Sequence, residues 1–137
     1  MNPEVLQLVQ ESWAKVTPIA SQAAALFYSN LFTLDPSLKL LFQGDMEEQG
    51  KRLMEMIGTA VQKLNNIETV VPTLQGLGKR HVRYGVKAEH YQTVGTALLT
   101  TLEQGLGEHF TPQVKEAWTF VYGMMADVMI KAAYPQA

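Results

Sequence analysis

Proline placement constrains this chain more than any other feature, and it points to a helical fold. Asn2-Pro3, Thr17-Pro18, Asp35-Pro36 and Thr111-Pro112 each set a good N-cap residue before a proline. A cap side chain accepts from backbone N–H groups of the first turn, where proline lacks a donor that would have had no partner. Pro72 marks a further helix start, and Pro135 lies at the chain's end. Between these marks the apolar residues recur every three or four positions. Val5, Leu6, Val9, Trp13 and Val16 stripe the first segment, and Ala20, Ala23, Phe27, Leu31 and Leu34 the second.

The same reading gives a short helix from Asp35 to Phe42 and a loop at Gln43-Gly44-Asp45. A longer helix follows from about Met46 to Leu64, with Leu53, Ile57, Val61 and Leu64 on one side and Asn65-Asn66 as its break. Pro72 to Arg83 forms the next helix, stopped by Gly85. Two long helices, roughly Ala88 to Gln104 and Pro112 to Tyr134, are separated by Gly105 and Gly107. Val70-Val71 runs straight into proline, so no strand is expected. The expectation is an all-α fold of seven to eight helices in one domain spanning residues 1–137, with no repeat and no linker.

Composition narrows the function. At 137 residues the chain is long enough to bury a core without staples. Its net charge of −2 supplies no basic field for nucleic acid or anionic lipid. Cysteine is absent, which excludes disulfides, thiolate ligands, iron–sulfur clusters and covalent haem attachment through cysteine. No secretory leader and no membrane-length apolar run is visible, so a cytoplasmic protein with no membrane partner is expected. There is no phosphate-binding glycine loop, no His-Glu-x-x-His and no nucleophile elbow.

What remains is a constellation around one histidine. His81 lies on a short helix, and Tyr28, Phe42 and Gln49 lie on or beside three others. A histidine opposite a tyrosine and a glutamine, with a phenylalanine at a helix corner, suits a flat iron cofactor that takes a gas on its far side. His90 and His109 read as solvated, and Met124, Met125 and Met129 as adaptable packing.

Longer pieces of the sequence carry a resemblance. They are Leu26-Phe27-Tyr28-Ser29-Asn30-Leu31-Phe32, Asp35-Pro36, Leu41-Phe42-Gln43 and Leu77-Gly78-Lys79-Arg80-His81. Further along come Glu89-His90-Tyr91, Val94-Gly95, Leu98-Leu99 and Ala117-Trp118-Thr119-Phe120-Val121-Tyr122-Gly123. In this order and spacing the chain resembles the bacterial single-domain globins related to flavohaemoglobins, over essentially its whole length. The resemblance implies a globin fold around haem b, with His81 as the proximal ligand to iron. It implies that Phe42 wedges against the haem, that Gln49 and Tyr28 face the gas, and that Leu53 is their apolar neighbour. Ile57, Leu77, Val86, Tyr84, Tyr91 and Val94 are expected to touch the haem, and Arg52 and Arg80 to meet its propionates.

Oxygen held at ferrous iron gains partial negative charge, which a tyrosine hydroxyl and a glutamine amide can both stabilise. The second nitrogen of His81 is expected to donate to a carbonyl one turn back, at Leu77. One departure stands out. The family's glutamate on the last helix, which bonds to the proximal histidine, is matched here by Ala133, with Lys131 nearby. That predicts a weaker electron push toward the gas. The flavin and nicotinamide domains of flavohaemoglobins are also expected to be missing. The implied function is reversible oxygen binding. A nitric oxide dioxygenase served by an external reductase and a haem-based gas sensor are the alternatives.

Overall fold

Asn2 opens the first helix as its spacing predicts, its side chain accepting from the Glu4 N–H at 2.8 Å. The computed structural model describes residues 2–42, 44–83 and 85–134, so the expectation for Tyr84 lies outside the described residues. Helix α1 is Pro3–Val16. Thr17 does not cap a new helix. Its hydroxyl bonds back to the Trp13 carbonyl at 3.1 Å, and the chain turns through a 3-10 segment, Thr17–Ile19, into α2, Ala20–Leu34.

Asp35 caps as expected, accepting from the Ser37 N–H at 3.1 Å, but the segment it starts is a 3-10 helix, Pro36–Leu41. Asp45 then caps α3, Met46–Gln62, by accepting from the Glu47 N–H at 2.9 Å. A 3-10 stretch, Leu64–Thr69, follows, with non-helical backbone at Asn66 (φ −129°, ψ 54°) where the sequence predicts a break. Helix α4 is Val71–Arg83, with Pro72 in its first turn, where its missing N–H is harmless. Helix α5 is His90–Leu106, and α6 is Pro112–Ala133, capped by Thr111 through the Val114 N–H at 3.2 Å. Gly105 lies inside α5, and Gly107, at φ +56°, ends it.

No strand occurs among the described residues, and the fold is all-α. Helix α1 packs on α6, α2 lies against both α5 and α3, and α4 packs chiefly on α6. Trp118 is wholly buried at the centre, tilted against Trp13 with ring centroids 5.9 Å apart. Its indole N–H donates to the Ser12 hydroxyl at 2.8 Å, which in turn donates to the Leu8 carbonyl at 2.7 Å. A buried polar chain of this kind is fully satisfied and fixes α1 against α6.

Two features of this packing set up the site. The buried apolar side chains form two clusters rather than one. The larger runs through α1, α2, α3, α5 and α6, and the smaller gathers Val70, Leu74, Tyr91, Ala126 and Met129 around α4. In addition, α3 and α4 do not pack extensively on each other, although only the 3-10 stretch separates them in sequence.

Candidate functional site

His81 is on the last turns of α4. Its Nδ1–H donates to the Leu77 carbonyl at 2.8 Å, the bond expected from the sequence. This fixes the tautomer that carries its lone pair on Nε2. Burial lowers the imidazole pKa, the Leu77 carbonyl works against that, and Arg80 reinforces it, so the ring is neutral near pH 7. The helix then stops at a sharp turn. Gly85 stands at φ +92°, a conformation that side chains with a Cβ rarely adopt. A Cβ there would lie 3.2 Å from Leu41, so the end of α4 comes against the Pro36–Leu41 corner.

The register of α4 is set by a close crossing. A Cβ on Gly78 would fall 2.4 Å from the Met129 carbonyl oxygen of α6. No other residue allows that approach, and His81 lies three residues further on.

Three tyrosines, Tyr91, Tyr122 and Tyr134, tie α5 and the turn after α4 to α6. The Tyr122 hydroxyl donates to the Tyr91 carbonyl at 2.5 Å, and the Tyr134 hydroxyl donates to the Val86 carbonyl. Tyr91 itself is buried with its hydroxyl unbonded, and burial, together with nearby Tyr134, pushes its pKa up. Where the family resemblance calls for a glutamate the chain has half-buried Ala133, which offers no side-chain acceptor.

On the other side, α2 presents Tyr28, only 8% exposed, inside an aromatic nest. Its ring meets Phe27 and Phe42 edge-on, both at 5.3 Å, and stacks on Phe32 at 6.0 Å. Burial raises the phenol pKa, so the hydroxyl stays a neutral donor. No hydrogen bond among the described residues engages it. Phe42, at the end of the Pro36–Leu41 corner, is thus placed beside Tyr28. Phe32 was not anticipated at the site, although it lies one helical turn beyond Tyr28, where side chains meet.

Gln49 is in the first turn of α3, half-buried, its N–H bonded to the Asp45 carbonyl at 3.1 Å. Its amide nitrogen lies 4.0 Å from the Cβ position of Gly44, so it reaches back toward the corner. Next to it, Gly50 lets α3 press on α2: a Cβ there would be 2.9 Å from that of Ala24 and 3.7 Å from the Tyr28 ring.

The expected apolar contacts divide between the two clusters. Phe42, Leu53, Ile57 and Val94 belong with the larger one, and Leu77, Val86 and Tyr91 with the smaller. Of these only Ile57 and Tyr91 are buried, and the rest are half-exposed apolar walls. Met54, not Leu53, is the buried member of that turn of α3. Arg52 and Arg80 are exposed, Arg52 in a surface pair with Glu48 at 3.8 Å. His90 is half-buried and accepts the Lys87 N–H at 2.9 Å, a local cap rather than a purely solvated ring. His109 is exposed, as expected. Among the described residues no three His, Cys, Asp or Glu converge on one point, and no helix is long and apolar enough to cross a membrane.

These residues fit haem. A neutral imidazole with a fixed tautomer suits iron, and the half-exposed apolar side chains Phe42, Leu53, Leu77, Val86 and Val94 suit contact with a flat macrocycle.

Comparison with known proteins agrees. The family model described as Globin matches residues 25–129. Flavohemoproteins of Bordetella parapertussis and Bordetella bronchiseptica are each 28% identical over 133 residues, 95% of this chain. The chain spans only 33% of the length of those relatives. A carbene transferase engineered from a candidate nitric oxide dioxygenase of Rhodothermus marinus superposes with a TM-score of 0.88 at 22% identity, over 98% of this chain and 94% of that one. At that identity the likeness speaks for the fold.

Proposed function

The chain belongs to the globin family, and on that footing we propose that it binds haem b through His81 and takes up oxygen reversibly. The observation that carries this reading is the His81–Leu77 bond, which fixes a neutral imidazole with its Nε2 lone pair free of that bond, in a chain that also buries Tyr28 against Phe42. When bound, haem supplies a ferrous iron with one open position for a diatomic gas.

The chain's own residues do the rest. His81 holds the cofactor, and the absence of cysteine leaves that hold non-covalent. Phe42, Leu53, Ile57 and Val94 line one side, and Leu77, Val86 and Tyr91 the other. Exposed Arg52 and Arg80 answer the propionates. Tyr28 donates its hydroxyl to the partly charged gas, and Gln49 adds its amide. Donors fixed in a dry pocket stabilise that charge more than water does. Ala133, standing where the family resemblance calls for a glutamate, supplies no carboxylate to push on His81.

The test is to load the purified protein with haem and record its absorption and melting. A Soret band, a rise in melting temperature and loss of both in His81→Ala are expected, because a ligand of the native state alone stabilises it. Haem retention with an unchanged spectrum in His81→Ala would overturn the assignment.

A second reading is favoured by the likeness to flavohemoproteins across 95% of the chain. It makes the protein a nitric oxide dioxygenase whose electrons come from a separate cytoplasmic reductase. Under it, excess nitric oxide, oxygen and NADH give repeated nitrate formation only when a reductase is added. A single equivalent per haem with or without a reductase supports oxygen binding as the basic activity.

A further inference from the structure

A groove of about 830 Å³ lies along the outer side of the α2–α3 contact. Its floor is formed by buried Ala24, Tyr28, Gly50 and Met54, and its rim is exposed, with Ser21 and Ala25 on α2 and the charged Asp45, Glu47, Glu48, Lys51 and Glu55 on the α3 side. The groove exists because small residues meet where these helices cross. Ala24 and Gly50 bring the backbones close, and no large side chain fills the space beside them.

Tyr28 lines the groove, and under the haem-binding reading it also faces the gas. One side of its ring contributes to the groove, and its ring also packs edge-on to Phe42 at 5.3 Å. Displacing that ring costs packing, because no hydrogen bond among the described residues ties its hydroxyl down.

We propose that this groove is the path by which gas reaches the haem: small apolar molecules collect between α2 and α3 and pass Ala24 and Met54, with Tyr28 as the last barrier. The inference rests on the haem-binding reading above. Oxygen, carbon monoxide and nitric oxide are poorly hydrated and partition into an apolar floor, whereas ions and most polar solutes do not. The route differs from one past Gln49, which does not line the groove. It gives Tyr28 two separable jobs, since its ring is the barrier and its hydroxyl is the donor.

The test uses the haem-loaded protein and two variants at the mouth, Ser21→Trp and Ala25→Trp. Both positions are exposed, so the new ring lies over the groove rather than in the core. Flash photolysis of the carbon monoxide complex reads the rates. An added barrier acts equally in both directions, so association and dissociation should each slow by the same factor, about tenfold, with affinity unchanged. Xenon supplies a second readout that needs no haem chemistry. The 129Xe shift induced by the wild-type protein should be lost in Ala25→Trp. Unchanged rates in both variants, or an unchanged xenon shift, would overturn the path. Failure of the haem reading shows separately, as a wild-type protein with no carbon monoxide difference spectrum.

Discussion

Replacing Tyr28 with Phe separates what the hydroxyl does from what the ring does. The side chain is 8% exposed and no hydrogen bond among the described residues engages its hydroxyl. In the haem-free protein the substitution therefore removes a hydroxyl that has no protein partner to strand, and stability should stay within about 0.5 kcal/mol. With oxygen present the donor has a partner. Its loss should cost about 1–3 kcal/mol, which speeds oxygen release roughly 5- to 150-fold. Carbon monoxide carries less charge, and its release should change far less. Association of either gas should be unaffected, because the ring that walls the groove is retained. Urea denaturation of the haem-free protein and stopped-flow release of each gas are the measurements. A loss of more than about 1 kcal/mol without haem would mean that the hydroxyl is bonded in the fold. Equal acceleration for both gases would mean that the effect is steric and the electrostatic account is wrong.

The other predictions test the frame around the site. Gly78→Ala places a Cβ 2.4 Å from the Met129 carbonyl, so α4 must move off α6. It should destabilise by about 1–3 kcal/mol and weaken haem retention, because His81 moves with the helix, whereas a stable variant with normal haem affinity would show that α4's position is set elsewhere. Ser12→Ala strands the buried Trp118 N–H and should cost about 1–3 kcal/mol in chemical denaturation without altering the Soret band. The pH dependence follows from His81, whose pKa is lowered by burial. The unfolded chain binds that proton more readily, so stability is full above the ordinary histidine range and falls as pH drops through it toward the lowered folded value. His81→Gln should flatten the haem-free stability profile over that window, and an unchanged slope would assign the titration to another group.

How much of this was legible in the sequence depends on how local the cause is. Asn2, Asp35 and Thr111 act as caps, as their spacing predicts, because a cap bonds two or three residues ahead. Thr17 carries the same signature before a proline, yet its hydroxyl turns back to Trp13. The difference lies in the preceding helix, which is still running when it reaches Thr17. Gly105 and Gly107 look equally able to end α5, but only Gly107 takes the positive φ that does so. The aromatic nest around Tyr28 and the bond from His81 to Leu77 were reachable through the family resemblance and helical geometry. The groove was not, because it is a shape left by residues too small to announce themselves.

The sequence does hold one clue to what positions the two sides of the site. Glycine inside a helix costs about 1 kcal/mol relative to alanine, so an interior helical glycine asks for a packing reason. Gly50 sits next to Gln49 and Gly78 three residues before His81, both within helices. At Gly50 the neighbour is Ala24, and at Gly78 it is the backbone of Met129. Each glycine lets a site-bearing helix approach the helix behind it more closely than any side chain would allow. The spacing of Gln49 from Tyr28, and the position of His81 along α6, therefore depend on the absence of two methyl groups. Motif reading finds the side chains that do the chemistry. The residues that hold them in place are found by asking why a helix tolerates its weakest former at that position.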